Sequence, residues 1–167
     1  YGYTAANSTT VPLNKYIVAK PSQVNKVGGL TVRKNDDYSN NGMFITKTET
    51  GKNTCVLYYT IKNLKKGEAY QVKIGFVNLA NKTKNDGSLA VKLRYKIHGI
   101  KEDGTIGGQL KEDQWNLNTD GGIKDLETKS SQIIKEEDMK NYTGLVLTIL
   151  NNSSEANHVF GLDYINV

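Results

Sequence analysis

From Leu89 to Ile97 the chain alternates without a break. Leu89, Val91, Leu93, Tyr95 and Ile97 are apolar, while Ala90, Lys92, Arg94 and Lys96 are small or basic. A period of two is the signature of a strand with one face in a core and the other in solvent or a groove. The pattern recurs. In Tyr70–Leu79 the inward set is Tyr70, Val72, Ile74 and Phe76. In Thr54–Lys62 it is Cys55, Leu57, Tyr59 and Ile61, with Tyr58 on the opposite face. Further strands are expected at Leu13–Val18, Leu30–Arg33, Met43–Thr48, Trp115–Asn118, Leu145–Leu150 and Val159–Val167. Between them stand Asn40-Asn41-Gly42, Gly51-Lys52-Asn53, Lys65-Lys66-Gly67, Asn85-Asp86-Gly87, Asp103-Gly104, Asp120-Gly121-Gly122 and Asn151-Asn152-Ser153. These Gly and Asn residues tolerate the left-handed backbone of tight turns. Many short strands with such turns predict an all-β fold, a two-sheet antiparallel β-sandwich or jelly roll. Helix is expected only at about residues 134–142, where acidic residues precede Lys140.

The 167 residues suffice for one domain with a real core. Residues 1–12 read as a linker or frayed end, and 13–167 as a single sandwich. No apolar run approaches the ~18 residues that span a bilayer, so membrane insertion is not expected. Lys and Arg together number 22 against 17 acids, and all but Arg33 and Arg94 are lysine. Nucleic-acid recognition leans on arginine forks and clustered basic stretches. Here lysines interleave with acids, and no nucleic-acid partner is expected. Cys55 is the one cysteine. It is expected as a buried free thiol on the inward face of its strand, and His98 and His158 complete no zinc-ligand spacing.

Leu64, Gly67, Tyr70 and Val72 form a "Leu-x-x-Gly-x-x-Tyr-x-Val" element ahead of a long strand. The chain closes on Phe160-Gly161-Leu162-Asp163-Tyr164-Ile165-Asn166-Val167, and Trp115 precedes the penultimate strands. Over about residues 28–167 this order resembles the galactose-binding-like jelly rolls, especially the carbohydrate-binding modules appended to bacterial xylanases and glucanases. The closing strand is similar to that family's "Phe-x-Ile-Asp-Asp-Val-x-Val", with Tyr164 in place of the second acid. The family's "Gly-Phe-Glu" opening is not evident. The resemblance implies a structural calcium ion, for which Asp163 is the candidate ligand; the alternative is that Asp163 only hydrogen-bonds backbone.

A sugar site needs an aromatic plate for the ring's C–H face and planar polar groups for its hydroxyls. Three places offer both. The first is the stretch Asn35, Asp36, Tyr38 and Asn40. The second is Trp115 with Asn116. The third is a strand face carrying Tyr58, Lys92, Arg94, Lys96 and His98, which in the modules this chain resembles is a cleft for a glycan chain. No nucleophile elbow, P-loop or His-Glu-x-x-His helix is present, and no enzymatic activity is expected.

The expected function is that of a non-catalytic module that binds a polysaccharide or glycan. It would tether a larger secreted or surface-attached bacterial protein, beside neighbouring domains of that chain. The alternative is a structural or adhesive domain of a bacterial surface protein or toxin, recognising protein or spacing its neighbours.

Overall fold

The computed structural model describes residues 4–13, 15–32, 42–48, 53–79, 91–117, 127–152 and 159–167. Thirteen strands run in chain order: β1 (Thr4–Ala5), β2 (Thr10–Val11), β3 (Lys15–Ala19), β4 (Lys26–Val27), β5 (Leu30–Thr31), β6 (Met43–Lys47), β7 (Cys55–Ile61), β8 (Tyr70–Asn78), β9 (Val91–Ile100), β10 (Ile106–Leu117), β11 (Glu127–Ile134), β12 (Gly144–Asn151) and β13 (Val159–Asn166). They form a six-stranded sheet ordered β1-β3-β6-β13-β8-β11, a four-stranded sheet ordered β10-β9-β12-β7, and a small sheet ordered β2-β4-β5.

The last eight strands are a jelly roll. Counted from β6, one sheet takes the first, eighth, third and sixth, and the other takes the second, seventh, fourth and fifth. All pairs among these eight are antiparallel. The alternation seen in the sequence accounts for the packing. Val91, Leu93, Tyr95 and Ile97 of β9, with Leu145, Leu147 and Ile149 of β12, point from the four-stranded sheet into one core. Val72, Ile74 and Phe76 of β8 meet them from the six-stranded sheet.

The six-stranded sheet is buried on its second face too. Met43, Ile45, Val77, Leu79 and Val159 lie under Val11, Val24, Val27 and Val32 of the N-terminal segment. This explains why Ile74 to Leu79 is a continuous buried run, where one-sided burial would leave alternate residues exposed. Residues 4–12, which fall in the stretch expected as a linker or frayed end, take part in this packing. β1 pairs in parallel with β3, β2 pairs with β4, and Val11 is fully buried.

Two other expectations change. Residues 136–141 are successive turns, held by bonds such as Asp138 N–H to the Lys135 carbonyl at 3.1 Å, and β11 runs through Ile134. Among the described residues the sole helical element is a 3-10 turn at Pro21–Gln23. In β7 the inward set is shifted by a bulge where Leu150 meets Cys55. Val56 is consequently buried, Cys55 is half-buried, and Tyr59 is 45% exposed at the sheet edge. Burial pushes the Cys55 thiol pKa up, which makes it a poor nucleophile.

Gly144 opens β12 where that strand passes closest to β7. A Cβ there would lie 2.5 Å from the Ile61 carbonyl oxygen. Backbone cannot retreat as a side-chain tip can, so Gly144→Ala is expected to destabilise the fold by about 1–3 kcal/mol, the usual cost of overpacking. Urea unfolding of the variant against wild type measures it.

Candidate functional site

Because β9 sends Leu93, Tyr95 and Ile97 inward, Lys92, Arg94, Lys96 and His98 emerge on the outer face of the four-stranded sheet. The strand register builds rows across that face. Gln114, Arg94 and Leu150 form one row. Glu112, Lys96, Thr148 and Tyr58 form the next, and Gln109, His98, Val146 and Thr60 the third. Tyr58 stands at the β7 edge with 42% of its surface open. Val146 and Leu150 form an apolar floor between it and the charged strand.

The polar side chains on this face hold one another. Arg94 Nε forms an ion pair with Glu112. Its Nη1 donates to Asn53 Oδ1 at 3.2 Å. Asn53 reaches that position from a left-handed backbone, φ 70°, which Asn accepts more readily than most residues. Gln109 Nε2 donates to Glu112 Oε2 at 3.0 Å, and Asn152 Nδ2 donates to Gln114 Oε1 at 2.9 Å. The hydrogen bond from Arg94 is the main reason the Glu112 carboxyl is held below the usual carboxylate range. His98 is pushed down, first by burial and then by the positive charge of Lys96. The face is therefore a set of fixed donors and acceptors beside one open aromatic ring.

A concavity of about 290 Å³ opens at the other side of β7. Val18, Phe44, Leu57, Tyr59 and Leu162 make it mostly apolar, with Asp163 at its rim.

The expected site residues separate. Tyr58 and Arg94 share the outer face, at opposite flanks of β12. Asn116 pairs with Lys92 and continues the same sheet, though its side chain is not among those described. Trp115 is a correction. It points the other way along β10, is 8% exposed, stacks on Tyr95 with ring centres 4.2 Å apart and meets the tilted ring of Phe76 at 4.4 Å. It is core and offers no ring face to a ligand. Asn35, Asp36, Tyr38 and Asn40 lie outside the described residues. Asp163 is half-buried on β13. Calcium takes six to eight oxygens, usually with several carboxylates. Among the described residues no three His, Cys, Asp or Glu side chains come together.

Glu112, Asn53 and Asn152 were not marked by the sequence. Asn53 and Asn152 read as turn formers, and Glu112 falls in a stretch whose strand character is masked by Gly107-Gly108 and a run of polar residues. The parity of β10 could have found it. With Trp115 inward, Gln114 and Glu112 face opposite ways to Trp115 and Asp113.

No protein-family model matches the sequence, and no curated protein matches it. Among solved structures the chain is similar to the CBM22-1 xylan-binding domain from Paenibacillus barcinonensis Xyn10C, at 16% identity, over 98% of this chain and 83% of that one, with a TM-score of 0.48. It is also similar to a sugar-binding protein, the EclA C-terminal domain, at 16% identity over 73% and 75%, with a TM-score of 0.45. A third is a CBM4 structure, at 11% identity over 76% and 83%, with a TM-score of 0.48. At such identities no residue of this chain is matched to a binding residue of theirs.

Two measurements check this site description. Trp115→Ala is expected to cost about 3–5 kcal/mol of stability, as large aromatic truncations in a core do, and to be read in denaturant unfolding. His98 gives the second. Its folded-state pKa is below the unfolded one, so the unfolded chain takes up the proton first as pH falls. Stability is unaffected well above about pH 6.5 and declines as pH falls through and below that value. The thermal midpoint should drop between about pH 7.5 and 5.5, and His98→Gln should make that drop smaller. The depressed Glu112 carboxyl acts in a separate, more acid window.

Proposed function

We propose that the domain is a non-catalytic carbohydrate-binding module and that its glycan lies on the outer face of the four-stranded sheet. The observation that carries this is the exposed Tyr58 ring on the same face as the Arg94–Glu112–Asn53 and Gln114–Asn152 contacts. An aromatic ring supplies the apolar plate for a pyranose, and planar amide, carboxylate and guanidinium groups supply hydroxyl partners. From β7 to β10 the face spans three strand spacings, about 14 Å. That is room for a short oligosaccharide lying across the strands. Because the polar groups already hold one another, little side-chain freedom is lost on binding.

The family resemblance over about residues 28–167 supports the same reading, and with it the place of this domain within a larger, secreted bacterial protein that it tethers to a polysaccharide. Binding involves no chemical step, only stacking and hydrogen bonds.

Tyr58→Ala tests the reading. Tyr58 is exposed on an edge strand, so the variant should fold with near wild-type stability. One stacked ring contributes about 1 kcal/mol or more beyond area burial, so affinity should fall several-fold. Calorimetry against soluble xylans, glucans and mannans gives the answer. Wild-type binding that Tyr58→Ala leaves unchanged rejects the site. Absence of binding across a broad glycan panel rejects the function in favour of the adhesive or spacer alternative.

A further inference from the structure

The outer face is not electrically neutral, and its excess sits on one strand. Lys92, Arg94 and Lys96 project from β9 on the same side, at two-residue intervals. The carboxylate that the register places beside them is Glu112 of β10. Glu112 is engaged by Arg94 through an ion pair and by Gln109 through a hydrogen bond. Asp113, next along β10, points the other way and accepts from Gln132 Nε2 of β11 at 3.3 Å. From the other side, β12 presents Thr148 and Leu150, and β7 presents Tyr58 and Thr60, all uncharged. Among the described residues neither Lys92 nor Lys96 forms an ion pair. Among the described residues, the face thus carries two positive charges more than negative ones.

Position matters as much as number. Lys96 is half-buried, in the row that ends at Tyr58, with Thr148 between them. A sugar stacked on Tyr58 and lying across β12 brings its next residue within reach of the Lys96 ammonium. Arg94 spends two of its five donors on Glu112 and Asn53, which leaves guanidinium edge for a planar oxygen pair.

Resting on the binding face proposed above, we infer that its ligand is an acidic glycan, one carrying uronic carboxylates, with Lys96 and Lys92 as the residues that select it over a neutral chain. A carboxylate set beside Lys96 would neutralise charge that the fold leaves uncompensated, whereas a neutral sugar would only cover it.

The test pairs each acidic polysaccharide with its own carboxyl-reduced form, which keeps the backbone and removes the charge. Glucuronoxylan, polygalacturonate and alginate are the probes, with binding followed by calorimetry at low and high salt. At least one acidic form is expected to bind about tenfold tighter than its reduced partner, as one or two surface charge pairs would give. The difference should collapse in high salt. The double variant Lys92→Gln/Lys96→Gln should lose the preference, binding the acidic form no tighter than its reduced partner. Lys96→Gln alone, should the double variant fold poorly, is expected to lose part of it. Equal or tighter binding of the reduced forms overturns the inference and leaves the glycan-binding face standing. So does a preference that the lysine variants retain. Binding of neither form overturns both.

Discussion

Trp115 stacks on Tyr95 of the neighbouring strand and meets the tilted ring of Phe76 of the facing sheet, and through these contacts one indole ties the two layers together. Its inward position fixes the parity of β10, since a slip of one residue in a strand turns every side chain to the other face. With Trp115 and Tyr95 inside, Gln114, Glu112 and Arg94 are forced outside, in register with one another. The polar face is thus a consequence of the core. A large apolar surface must be buried within β10, and the groups left over are the ones that meet Arg94.

The two sheets differ in what covers them. The six-stranded sheet has its second face closed by valines of the N-terminal segment, which pack on Met43, Ile45 and Val159. Backbone and side chains there are committed to the fold. The four-stranded sheet has no comparable layer among the described residues, and its β12 exposes a floor of Thr148 between apolar neighbours.

Much of the fold was legible in the sequence, and for a definite reason. β8, β9 and β12 alternate or run apolar because each has a face in the central core, and Gly and Asn mark their ends. The failures are as informative. β11, with Ser130, Ser131 and Gln132, has too little apolar pattern to announce a strand, because it is a sheet edge paired with β8 alone. The acidic stretch after it imitates a helix start but is occupied by turns. The N-terminal valines stand singly among polar residues, so no window shows a period, yet tertiary contact buries them. At the site, Tyr58 and Arg94 were visible because alternation gave their side. Trp115 was placed by type, as an aromatic in a polar stretch, when its strand parity already directed it inward. Glu112 and Asn53 were invisible, since their role exists only once three separated segments meet.

The joint state of Arg94 and Glu112 shows how such a face can be both polar and stable. Two facing charges left apart would each need water or a ligand, and a ligand would first have to strip that water away. Held together, with Asn53 and Gln109 each bonding one of the pair, they present their remaining hydrogen-bonding groups at fixed positions. The cost of ordering them was met when the chain folded. The same pairing removes Glu112 as a source of repulsion toward anions, because its charge is matched by the guanidinium beside it. The lysines on either side of Arg94 then set the sign of the face, and Tyr58 is its exposed aromatic ring.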